Sequence, residues 1–133
     1  MGSAPSRSSG VSNSRAFRIV HCSRTGGPPD VELHVRPPAA DEGRWDDDFL
    51  QLFFRNNRDA HEFSAVLEFG PHGKSWTIRT AAPYGRVIRE AELDASYDDL
   101  RTAFDWFVAE NYSPLFNNSR HFSCKLWRRL TRT

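Results

Sequence analysis

The sequence predicts an α+β fold: one domain in which a mostly antiparallel sheet packs against two or three helices. Short β-branched and aromatic runs are separated by Gly/Pro turns, the pattern of antiparallel strands. Two later stretches instead repeat apolar residues at three- and four-residue steps, the period of an amphipathic helix. A chain of 133 residues is long enough for one real core, and its 26% charged side chains are close to the average for soluble proteins, so bulk disorder is not expected.

Taken in order, residues 1–14 are Ser/Gly-rich and read as a flexible tail ahead of a single domain over residues 15–133. Met1-Gly2 with Ser6 fits the Met-Gly-x-x-x-Ser pattern of N-myristoylation, which a Met-Gly-Ser expression leader also satisfies. Residues 17–22 alternate poorly, yet Phe17, Ile19 and Val20 make a strand the expected form. Residues 31–35 alternate cleanly, with Val31, Leu33 and Val35 on one side and Glu32 and His34 on the other. They predict a half-buried strand, hairpinned to the first and ended by Pro37-Pro38.

Residues 45–57 are expected to form a helix with Phe49, Leu50, Phe53 and Phe54 as its buried stripe. Asp46, Asp47 and Asp48 would then sit near the positive end of its dipole. Consecutive carboxylates on a helix diverge, so they read as a solvated first turn and not as a metal cluster. Residues 63–69 and 75–79 form the clearest hairpin, turning through Gly70-Pro-His-Gly-Lys74. A further strand over residues 86–92 follows the breaker Pro83-Tyr84-Gly85, giving three antiparallel strands in a row.

Ser96-Tyr-Asp-Asp99 opens a helix in the manner of a capping box, with Leu100, Ala103, Phe104, Phe107 and Val108 as its apolar face. Trp106 falls off that stripe and is expected to cover an edge of the core. A last helix carries Phe122, Leu126 and Leu130 on one face, with Ser119 at its N-cap or first turn.

Composition narrows the function classes. The formal net charge of +1 argues against a protein that is polyanion-binding as a whole, and two cysteines cannot build a disulfide scaffold. There is no metal-ligand spacing of the Cys-x-x-Cys type, no cofactor motif, and no apolar run long enough for a membrane span. These features lead to the expectation of a soluble, intracellular, cytoplasmic protein without metal or cofactor.

The sharpest motif is Asn118-Ser-Arg-His-Phe122, preceded by a loop with Tyr112, Leu115, Phe116 and Asn117. It resembles the Asn-Cys-x-His-Phe motif and Tyr-x-Leu-Leu-x-Asn loop of the circularly permuted papain-like thiol hydrolases. Those include the lecithin:retinol acyltransferase family, NlpC-type peptidases and PPPDE peptidases. The resemblance covers roughly residues 31–131 and implies a permuted papain-like fold acting on an amide or ester of a protein, peptide or acyl substrate. It places Ser119 at the nucleophile position, at a helix N-terminus, where those families carry Cys. The imidazole base would be His61, because His61-Glu-Phe-Ser-Ala-Val resembles the families' His-x-x-x-hydrophobic strand. The orienting third group is open among His72, Thr77 and Arg79. His121 reads as a helix residue that the motif carries.

Serine at that position changes the expected chemistry. A helix dipole worth up to ~2 kcal/mol stabilises a thiolate but cannot make an alkoxide at neutral pH. The site is therefore expected to be inactive or weak, as an engineered Cys-to-Ser variant or a natural pseudoenzyme. Cys124 offers no substitute, since five residues beyond Ser119 it lies about 140° round the helix. It reads as a small buried hydrophobe.

A second class is a non-catalytic binding module. From residue 120 onward the chain carries Arg120, Lys125, Arg128, Arg129 and Arg132 with no acid, and residues 1–29 carry Arg7, Arg15, Arg18 and Arg24 with none. Such termini suit nucleic acid or an acidic protein, with Trp127 able to stack on a base. Cations in a last helical turn are also ordinary complements of the dipole.

Overall fold

The computed structural model describes residues 11–23, 48–109 and 119–132. Strands β1 (Ser14–Ser23), β2 (Asp48–Asn56), β3 (Glu62–Gly70), β4 (Gly73–Arg79) and β5 (Arg86–Ser96) form one sheet in the order β4-β3-β2-β1-β5. Every neighbouring pair is antiparallel. Helices α1 (Tyr97–Trp106) and α2 (Ser119–Thr131) pack on one face of it. The α+β class expected from the sequence is therefore present.

β2 replaces the helix expected over residues 45–57. Leu50, Leu52 and Phe54 face the helices, Phe49, Gln51 and Phe53 face the other way, and all six are buried. A central strand covered on both faces reads as a near-continuous apolar run. Such a run satisfies a helical i, i+3, i+4 template as easily as a strand's. Asp48 consequently begins a buried strand and not a solvated helical turn; Asp46 and Asp47 lie outside the described residues.

β1 is a strand as expected, and its poor alternation has a cause. Ala16 pairs with Phe54 while Arg18 pairs with Phe53, so Phe17 is an extra residue at a β-bulge. The bulge places Ala16 and Ile19 on the helix side and Phe17 and Val20 on the other. The strand proposed at residues 31–35 lies outside the described residues. Val11 packs against the core, Asn57 N–H donates to Asn13 C=O and Ser12 hydroxyl to Asp98, so residues 11–14 belong to the folded unit.

The β3–β4 hairpin is as expected, with Gly73 at φ +99°, a conformation that favours glycine. β5 is not its third strand. It pairs with β1 at the far edge, so residues 80–85 must cross the sheet from one edge to the other. Four strand spacings of about 4.8 Å separate the edges, and seven residue steps reach about 24 Å. The link is close to fully extended. Gln51 holds it from the strand below: its amide nitrogen donates to Ala82 C=O and Ser64 Oγ, each at 2.8 Å, and its oxygen accepts from Tyr84 N–H at 3.0 Å. Gly85 then passes so close that a Cβ would lie 2.8 Å from the Ser23 carbonyl and 3.1 Å from the Phe49 ring. Gln51→Leu conserves volume but removes the part-buried bonds to Ala82 C=O and Tyr84 N–H and the buried one to Ser64; it should cost about 1–2 kcal/mol in urea unfolding.

α1 starts where the sequence says, with Ser96 Oγ accepting from Asp99 N–H at 3.1 Å. It ends at Trp106, because Lys74 of β4 donates its ammonium to the Phe104, Asp105 and Phe107 carbonyls. Leu100 and Phe104 are buried, whereas Val108, expected on the same stripe, lies past the helix end and is 83% exposed. Trp106 is 77% exposed and so does not cover the core edge as expected. In α2, Phe122, Leu126 and Leu130 are buried as their spacing requires.

Candidate functional site

The helix-covered face changes from apolar to polar where the first turn of α2 meets the end of β2. Ile19 and Leu50 belong to the core, and two-residue alternation continues to His21 and Ser23 on β1 and to Asp48 on β2. Register sets Ser23 against Asp48 and His21 against Leu50. Across from them α2 offers Ser119 and Ser123, one turn apart on its buried side. All five polar residues are buried.

Asp48 is the hub. Its backbone N–H donates to Ser119 Oγ at 3.2 Å. Its Oδ2 lies 3.0 Å from His21 Nε2 and 3.3 Å from Arg120 Nε. Arg89 Nε of β5 donates to His21 Nδ1 at 3.2 Å. A guanidinium keeps its protons, so Nδ1 must be the acceptor and the ring proton sits on Nε2, directed at Asp48. His21 is thus a neutral bridge between a carboxylate and a guanidinium. The Arg89 guanidinium also lies 4.4 Å over the Trp127 ring, itself 6.4 Å from the His21 ring. Among the described residues, Asp48 Oδ1 and Ser123 Oγ have no hydrogen-bond partner.

Ser119 lies where the resemblance places it, in the first turn of the last helix, but it is 1% exposed and already accepts a hydrogen bond. His61 is elsewhere. Asn56 N–H donates to His61 C=O at the opposite end of β2, and His61 N–H donates to Asp59 Oδ1. Eight steps of strand at ~3.3 Å amount to about 26 Å between the two ends. The structure does not bring Ser119 and His61 together. His61 instead lines an open cleft of about 590 Å³ with Phe63, Ile78, Arg79, Thr80 and Tyr84. His72 is exposed in the β3–β4 turn, and Thr77 and Arg79 lie on β4, two strands from β2.

Sequence reasoning missed His21, Asp48 and Arg89. One signal was available: His21 interrupts an otherwise apolar strand run, and a polar side chain buried there needs a partner. Asp48 was hidden by the helical reading of its segment. The thiols stand apart. Cys22 is buried on the opposite face, where desolvation pushes its pKa up to about 11, and Cys124 is half-buried instead of fully so. Among the described residues no three His, Cys, Asp or Glu side chains are grouped to hold a metal ion, and no helix is long and apolar enough to cross a membrane.

No protein-family model, curated protein or solved structure matches the chain.

Proposed function

We propose that this chain is a catalytically silent domain on the plan of the permuted papain-like hydrolases, with Ser119 serving as a joint between helix and sheet. One observation carries the reading. The Ser119 hydroxyl is buried and takes the Asp48 N–H, while the imidazole that shares Asp48 has both nitrogens committed elsewhere. A nucleophile needs a base within reach to accept its proton, and His21 has no nitrogen free for Ser119. The resemblance at residues 118–122 supplies the parent chemistry, acyl transfer or hydrolysis at an amide or ester, that such a site no longer performs.

The test is Ser119→Cys in a background with Cys22→Ala and Cys124→Ser. Iodoacetamide alkylation is followed against pH, with His61→Ala as a second variant. The thiol should titrate no lower than an ordinary cysteine, near ~8.5, because burial and the neighbouring Asp48 carboxylate both disfavour a thiolate. Removing His61 should leave the profile unchanged. Rapid alkylation well below pH 8 would show an activated nucleophile and overturn the proposal.

A further inference from the structure

Among the described residues, the solvent side of α2 carries a dense row of cations. At 100° per residue, Arg120, His121, Lys125, Arg128 and Arg129 share the half of the helix turned away from the sheet, and they and Arg132, just past the helix end, are exposed. His121, Lys125 and Arg128 follow one another at i, i+4 and i+7 on α2, and Arg132, one residue past its end, extends the row to about 16 Å. Arg129 flanks it. Of the chain's 18 lysines and arginines, five fall between residues 120 and 132, where none of its 17 acids lies.

The helix dipole does not account for this. It favours cations in the last turn, which covers Arg128 and Arg129, but it leaves Lys125 unexplained and would favour acids in the first turn, which has none. Elsewhere Arg15 pairs with Asp94, Arg18 with Glu90, Arg55 with Glu62 and Arg101 with Asp105, while the exposed Arg58, Arg79 and Arg89 sit singly on other elements, Arg79 over the Tyr84 ring and Arg89 against His21 and Trp127. Among the described residues Lys125, Arg128, Arg129 and Arg132 have no such ion pair. Like charges three and four residues apart repel one another. Folding has thus gathered uncompensated cations on one rigid element, and the near-neutral net charge conceals it.

The face also lacks what other partners need. The exposed large apolar side chains are Ile78, Tyr84, Val87, Ile88, Trp106 and Val108, none of them on α2. This face has no large apolar side chain to insert into a membrane or to form the apolar centre of a protein interface. Nor is Trp127 free to stack on a base, since the Arg89 guanidinium lies over its ring. What remains is guanidinium forks, whose geometry matches phosphate oxygens, on a scaffold too rigid to follow a flexible strand.

We propose that the exposed face of α2 binds the phosphodiester backbone of duplex nucleic acid without regard to sequence. Phosphates of one strand recur every ~3.4 Å along the duplex axis, so the row spans about five of them and can neutralise three or four.

Fluorescence polarisation of the full chain with labelled 20-base-pair duplexes of two unrelated sequences tests this. Both duplexes should bind alike, and log K should fall with log salt at a slope of about −3 to −4, roughly −0.9 per phosphate neutralised. Combining Lys125→Gln, Arg128→Gln and Arg129→Gln should weaken binding at least tenfold at 50 mM salt and flatten the slope by about three, with an unchanged melting temperature. Arg58→Gln, in the hairpin at the opposite end of β2, should change nothing. The proposal falls if no duplex binds at 50 mM salt or if the triple variant binds as well as the parent. It also falls if phosphatidylserine vesicles or polyglutamate bind more tightly than the duplex.

Discussion

Replacing Asp48 with alanine should destabilise the domain by about 2–4 kcal/mol, because a buried carboxylate that accepts from both His21 and Arg120 is lost and hydrogen bonds to a charged group are worth ~1.5–3 kcal/mol each. The Asp48 side chain is 2% exposed, and Oδ2 serves His21 and Arg120 together. Without it the buried His21 Nε2–H loses its carboxylate acceptor, and Arg120 loses its bond to Asp48. The Asp48 N–H bond to Ser119 Oγ survives, because the backbone supplies that donor. Asp48→Asn separates shape from charge. Its amide oxygen can still accept from His21, so about 1–3 kcal/mol is expected. Urea denaturation with fixed m-values reads both. A loss below ~1 kcal/mol for Asp48→Ala, as at an exposed position, would mean that the cluster is hydrated and contributes little.

The cluster shows why the sequence was legible in some places and not in others. Local chemistry with one solution was readable: the Gly70-to-Lys74 turn, the Ser96 cap and the Phe122, Leu126, Leu130 stripe each appear where spacing put them. The central strand was not readable, because burial on both faces erases the alternation that marks a strand. That error removed Asp48 from consideration. The site then formed from His21, Asp48 and Ser119, residues 27 and 71 positions apart whose meeting depends on β1–β2 pairing and on α2 docking. No local pattern encodes such a meeting. His61 attracted attention by its place ahead of a strand, yet a hairpin turn holds it at the other end of the sheet. Both resemblance and periodicity read positions along the chain. Only strand order decides which positions are neighbours.

Docking of α2 controls both the buried cluster and the basic face, so its main anchor should be the most sensitive apolar position. That anchor is Phe122, 2% exposed. Its ring stacks on Phe69 of β3 at 5.1 Å and meets the edges of Phe104 at 6.4 Å and Phe107 at 5.6 Å. One side chain therefore joins α2 to the sheet, to α1 and to the segment that leaves α1. Phe122→Ala should cost about 3–5 kcal/mol, from lost transfer free energy and a cavity that the rings on three sides resist closing. Phe122→Leu keeps most of the burial and loses the ring geometry, so about 1–1.5 kcal/mol is expected. Trp106→Ala is the control: at 77% exposure it should stay within about 0.5 kcal/mol. If Phe122→Ala costs no more than Trp106→Ala, α2 is not seated on β3. Ser119 would then have no fixed place beside Asp48, and the basic row would have no rigid support.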